Sequence, residues 1–175
     1  MAGPDIEKRL EHRTGLSPVI GQGPIVLVLG TIPSVLSDSK QEYYGNPRNH
    51  FWKVIYGVFD SEPDQDYKAR LGFLKGKHIA LWDVLKECDI DGSKDHTIID
   101  PVPNNIESLL RKHNSISYIF INGKKALELY DQLVQDSLPR NMRHPMVIAL
   151  PSTSTANPIS LPMKIEAWKA AFEAL

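Results

Sequence analysis

Four short apolar runs punctuate the chain: "PIVLVLG" (24–30), "HIALWDV" (78–84), "SYIFING" (117–123) and "MVIALP" (146–151). They are unbroken runs of Val, Ile, Leu and Phe, without the alternation of a half-exposed strand. A strand needs that character when both of its faces are covered, as in a parallel sheet. Between the runs the apolar period lengthens to that of a helix. "NHFWKVIYGVF" sets Phe51, Trp52, Ile55, Tyr56 and Phe59 at helical spacing, with Asn49 placed as its N-cap. "DQDYKARLGFL" offers Asp64 as a cap and Tyr67, Leu71 and Leu74 on one side. "NNIESLLRKH", "KKALELYDQLV" and "MKIEAWKAAFEAL" follow suit. Strands alternating with helices predict a three-layer α/β/α sandwich with a central, mainly parallel four-stranded sheet. Residues 1–23 read as a peripheral N-terminal arm and 24–175 as a single domain, with no internal repeat or linker.

Ligands of an open parallel sheet bind beyond the carboxyl ends of its strands. Two connections there are long and unusual. "GTIPSVLSDSKQEYYGNPRNHFW" (30–52) holds too much aromatic area in Tyr43, Tyr44, Phe51 and Trp52 to be left in water. "LPSTSTANPISLP" (150–162) is stiffened by proline and supplies hydroxyls and free N–H groups that suit a phosphate. Each has a plainer account: a Ser/Thr turn before a helix, a capping asparagine, aromatics that are simply core. Both segments facing one crevice is what makes a functional reading worth pursuing.

Composition narrows the class. At 175 residues with 42% hydrophobic and 23% charged positions, the chain has the make-up of an ordinary globular protein. No apolar run is long enough to span a bilayer, and residues 1–15 lack the apolar centre of a secretion signal. The single cysteine, Cys88, points to a reducing, cytoplasmic setting and gives no metal-ligand pattern. A net charge of −1 provides no general attraction for nucleic acid, so any DNA contact must be local. Lys124, Lys125 and Arg48 lie at the carboxyl ends of strands, whereas "RNMRHP" (140–145) precedes the last strand and falls at the opposite edge.

The loops themselves carry a resemblance. "VLVLGTIPSVLSDSKQEYYGNPRNHFW" is similar to the first motif of the uracil-DNA glycosylase superfamily, and "ALPSTSTANP" to its second. "YYGNPRN.FW", "LWDVL..C...GS.D..I" and "LPSTS.AN" together resemble the hypoxanthine (deoxyinosine) DNA glycosylase branch, and "NHFW" is also similar to the mismatch-specific uracil/thymine enzymes. The likeness spans residues 24–172. It implies a monofunctional, monomeric enzyme without metal or cofactor. Such an enzyme flips hypoxanthine or uracil out of DNA and hydrolyses its N-glycosidic bond, leaving an abasic site.

The residues themselves offer Tyr43, Tyr44 and Phe51 as a stacking wall for a planar ring. The resemblance implies that Phe51 stacks on the flipped base, that backbone around Thr31, Ile32 and Phe51 reads its edge, and that Asn157 approaches the base or its vacated partner. Ser34, Ser152, Thr153 and Ser154 are expected to meet DNA phosphates, and Lys124, at the carboxyl end of the third strand, joins them by sheet geometry. One departure matters. Where the mismatch-specific branch has Asn in "GINPG", this chain has Ile32 in "GTIPS". The Asp of the best-known uracil enzymes and the His of their second motif are missing too. The catalytic polar group must therefore lie elsewhere. The resemblance to the deoxyinosine branch, which has Asn before x-Phe-Trp, implies Asn49, acting on either the water or the departing base, with Asn46 and Asp83 in reserve. Two readings from other classes remain: a silent nucleotide-binding module and a hydrolase of free nucleosides.

Overall fold

The computed structural model describes residues 9–175. Its centre is a parallel four-stranded sheet built from β2 (Val26–Gly30), β3 (Ile79–Asp83), β6 (Tyr118–Asn122) and β7 (Met146–Leu150), in the order β3-β2-β6-β7. These are the four apolar runs. Alternate residues of β2 enter two separate cores, Leu27 and Leu29 on one face, Val26 and Val28 on the other, and all four are at most 2% exposed. A strand buried on both faces has no room for a polar position, which is why the runs of β2, β3 and β6 do not alternate; the edge strand β7 is apolar although most of it is exposed or half-buried.

Helices cover both faces. Against Val26 and Val28 pack α2 (Phe51–Val58), α3 (Tyr67–Gly76) and α6 (Leu161–Glu173); against Leu27 and Leu29 pack α4 (Ile106–Lys112) and α5 (Lys124–Leu133). A short α1 (Val35–Lys40) lies within the first long connection. At Gly57 an added Cβ would sit 2.7 Å from Ile165 Cδ1, so α2 and α6 approach closely only because that position is bare.

Three local expectations need correction. Asp64 is not the cap of α3. Asp66 takes that place, accepting from the Ala69 N–H, while Asp64 accepts from the Tyr56 hydroxyl. His50 rather than Asn49 occupies the N-cap of α2, although the Asn49 side chain does satisfy the first helical N–H. The proposed arm, 1–23, lies outside the described residues for 1–8, but 9–23 is tied into the molecule. Glu11–Thr14 forms β1 and pairs with β4 (Leu85–Ile90), Val19 bridges Leu81, and Arg13 is buried with its guanidinium on the Pro33 carbonyl.

With β5 (Ile99–Pro103), these strands make a second, antiparallel sheet in the order β1-β4-β5. It leaves the central sheet immediately after β3, with only Val84 between, and brings the segment that follows β4 over the carboxyl ends of β2 and β6.

Candidate active site

The chain leaves β2 toward β3 and leaves β6 toward β7, so the connections diverge between two neighbouring strands. That divergence opens a crevice. A cavity of about 310 Å³ sits there. Its floor is the ends of β2, β3 and β6, at Gly30, Asp83 and Asn122. One wall comes from the first connection, through Thr31, Ile32, Ser34, Tyr44, Asn46 and Asn49; a second comes from Ser152, Thr153, Ser154 and Thr155. Ser93 and Asp95, beyond β4, close a third side.

The two long connections are bonded to each other. The Thr153 hydroxyl donates to Asn49 Oδ1 at 2.8 Å, and the His50 N–H donates to the Thr153 carbonyl at 2.9 Å. Thr153 is itself fully buried and held by Asn122, whose Oδ1 accepts from the Thr153 N–H at 3.0 Å while Nδ2 donates to Thr153 Oγ1 at 3.0 Å. The same Nδ2 donates to the Tyr44 hydroxyl at 3.0 Å.

Two backbone donors fix the orientation of both amides. A main-chain N–H only donates, so the Asn122 atom facing Thr153 N is an oxygen, and so is the Asn49 atom 2.9 Å from the Phe51 N–H. Asn49 Oδ1 thus carries two hydrogen bonds, and Asn49 Nδ2 has no partner among the described residues. What Asn49 presents to the cavity is a donor.

Tyr44 supplies the aromatic wall. Its φ of +51° is uncommon for a bulky residue. The conformation is secured by the Asn122 bond, by the Ser37 hydroxyl on the next N–H, and by stacking on Phe51 with ring centroids 3.9 Å apart. Phe51 is fully buried behind it, in contact with Trp52 and Trp168. Phe51, expected as the stacking surface, does not line the cavity; the Tyr44 ring does, and Phe51 backs it.

Charge is unusual at the floor. Asp83 is 5% exposed and its Oδ2 has no hydrogen-bond partner among the described residues. Burial, and next the nearby Asp95, push this carboxyl up to about 7. Burial also raises Asp95, opposed by the Thr31 side chain, Lys125 and His96. The Tyr44 phenol, raised by burial and by Asp83, stays neutral and keeps its proton. Behind the second connection, Lys164 of α6 is fully buried and donates to the carbonyls of Ser154 at 2.9 Å and Asn157 at 3.4 Å. No carboxylate lies within ion-pair distance among the described residues, and desolvation lowers its pKa.

No family model matches the chain. A curated relative named hypoxanthine DNA glycosylase, from Methanosarcina acetivorans, is 34% identical and aligns over 91% of this chain and 98% of its own length. The chain belongs to the hypoxanthine DNA glycosylase family. A second relative of that name, from Methanosarcina barkeri, is 33% identical over 92% of this chain and 98% of its own. The solution NMR structure of a Methanosarcina acetivorans protein, provisionally named a uracil DNA glycosylase, superposes with a TM-score of 0.78. It is 32% identical and covers 93% of this chain and 97% of its own. The chain is thus a DNA glycosylase, a hydrolase of N-glycosyl bonds, on a fold like that of a uracil DNA glycosylase.

Of the residues singled out in the sequence, Thr31, Ile32, Ser34, Tyr44, Asn46, Asn49, Asp83, Ser152, Thr153 and Ser154 line the cavity. Asn157 does not. Its Oδ1 turns back to the Ile159 N–H, which stiffens the loop. Lys124 is exposed on the first turn of α5, outside the cavity wall. Asn122 and Lys164 escaped notice, and Asp95 entered only as the last residue of the "GS.D" string, without a role. Asn122 had a readable signal, a polar residue at the carboxyl end of an apolar run. Lys164 had none, since a lysine on an amphipathic helix normally faces water.

Proposed function

We propose that this DNA glycosylase releases hypoxanthine, uracil or both from DNA, working as a monomer in the cytoplasm without metal or organic cofactor. The observation that carries the proposal is the cavity at the divergence of β2 and β6, where Asn49 offers an oriented donor beside the Tyr44 ring. A flipped base stacks on Tyr44, and the flanking phosphates meet the hydroxyls and N–H groups of Ser34 and Ser152–Thr155. Stacking and phosphate contacts offset the few kcal/mol spent in extrusion. The names of the curated relatives support hypoxanthine; that of the solved structure supports uracil.

In the reaction a water oxygen bonds to the sugar C1′ and its proton passes to solvent. The N-glycosidic bond breaks with its electron pair on the base. Negative charge grows on the departing ring, and Asn49 Nδ2 is the donor available to meet it. A donor aimed at developing charge strengthens as the bond breaks, which is how it accelerates the step. Because its Oδ1 is already doubly bonded, Asn49 is poorly suited to accept a proton from the water.

The test is single-turnover base release from oligonucleotides carrying deoxyinosine or deoxyuridine, alongside the free nucleosides. An alkali-labile abasic site is the expected product, and Asn49→Ala is expected to slow its formation at least tenfold, about 1.4 kcal/mol. An intact but bound oligonucleotide favours a silent binding module. Preference for the monomer favours a nucleoside hydrolase.

A further inference from the structure

Among the cavity-lining groups that the reaction above does not use is Asp83. Asp83 ends β3 directly beside Gly30 of β2, and its carboxyl leans over that glycine: an added Cβ there would lie 2.6 Å from Asp83 Oδ1 and 2.8 Å from the Tyr44 hydroxyl. The strand end is fixed, since the Asn104 side chain donates to the Asp83 carbonyl at 2.8 Å. Oδ2 is buried, belongs to a cavity-lining residue, and has no partner among the described residues. An orphaned polar atom in a native interior calls for an explanation, and a missing ligand is one.

The bases that deamination creates share a lactam edge, a ring carbonyl beside a ring N–H. A neutral carboxyl group is its complement, one O–H donor beside one C=O acceptor. We propose that Asp83 pairs with this edge as a neutral acid, its O–H donating to the ring carbonyl and its C=O accepting from the ring N–H.

This assignment rests on the glycosylase reading above. It gives the departing base a second donor, on the carbonyl where negative charge collects. An ionised Asp83 would repel that charge. The surroundings favour the neutral form. The ionisable groups near the carboxyl are Asp95 from the turn after β4 and the Tyr43 and Tyr44 phenols; Arg48 lines the same cavity, and Lys125 and His96 lie near Asp95. None of the cations is within ion-pair distance of Asp83. Burial and Asp95 hold the carboxyl up near 7, so protonation is available at neutral pH.

The experiment compares wild type and Asp83→Asn in single-turnover excision of deoxyinosine from pH 5.5 to 9, with thermal unfolding to verify the fold. The wild-type rate is expected to fall about tenfold per pH unit above the carboxyl's midpoint. The amide keeps a donor beside an acceptor but cannot ionise. Its rate is expected to be several-fold below wild type at low pH and flat across the range. Coincident pH profiles overturn the assignment. So does a folded amide variant that is inactive at every pH, because that outcome makes the carboxylate the required form. Failure of wild type to release any base sinks the glycosylase reading itself, and this one with it.

A second measurement needs no variant. Carboxyl carbon NMR of the wild-type protein should place the Asp83 midpoint at least one pH unit higher with saturating free hypoxanthine. An unchanged or lowered midpoint refutes use of the neutral acid.

Discussion

Replacing Asn49 by aspartate exchanges one atom for another of similar size and reverses what that atom does. One carboxylate oxygen can keep the bonds now made by Oδ1, to the Phe51 N–H at 2.9 Å and the Thr153 hydroxyl at 2.8 Å. The other stands where Nδ2 was, as an acceptor in place of a donor. Removing one donor aimed at developing negative charge costs about 2.7–4 kcal/mol, or 10²–10³ in rate. Stability should move the other way. The new charge sits just before the first turn of α2, where a carboxylate contributes about 0.3–1 kcal/mol. Single-turnover excision of deoxyinosine, with thermal unfolding in parallel, reads both quantities. The expected pair is a rate at least a hundredfold lower and a Tm equal to or above wild type. An aspartate variant as fast as wild type would refute the reasoning, because a better acceptor helps only if Asn49 serves the attacking water.

Other perturbations probe the walls. Gly30→Ala forces a methyl to within 3 Å of both Asp83 and Tyr44, so excision should drop at least tenfold while binding to undamaged DNA is unchanged; equal activity would mean neither group touches the base. Lys164→Met removes charge-assisted bonds to the Ser154 and Asn157 carbonyls, worth about 1.5–3 kcal/mol each before the easier burial of Met is set against them. Fluorescence anisotropy should show DNA affinity weakened fivefold or more, and an unaltered Kd would deny Lys164 its part in shaping the phosphate loop.

Asp83→Asn also makes a prediction about stability. The wild-type carboxyl titrates near 3.8 unfolded and near 7 folded, so between those values the folded state holds the extra proton and stability falls as pH rises. The variant lacks this loss, so its advantage in urea unfolding should open from pH 4, saturate above 7, and reach about 1–4 kcal/mol. A gap that does not change with pH contradicts a raised Asp83.

Much of the fold was written in local pattern. The four sheet strands announced themselves as unbroken apolar runs, and the long connections by a length and a content of aromatics and hydroxyls unusual for loops. Asn49 was singled out by the family resemblance of "NHFW"; its place before an apolar helix suggested only a cap. The second sheet was not. β4, "LKECDI", alternates across register shifts, and β5, "IDPVP", contains two prolines and a positive φ at Asp100, features that argue against a strand until a partner edge is seen.

Tertiary contact decided which aromatic faces the cavity. Tyr44 and Phe51 are both aromatic and stand in the same connection, and their stacking leaves the first lining the cavity and seals the second behind it. The same holds for the amide of Asn49. Its identity as a donor comes from Thr153, a residue 104 positions away that occupies its oxygen. Local sequence determines which backbone a segment prefers, because propensity and periodicity act over a few residues. Which atom of a side chain remains free depends on partners brought in by the rest of the fold.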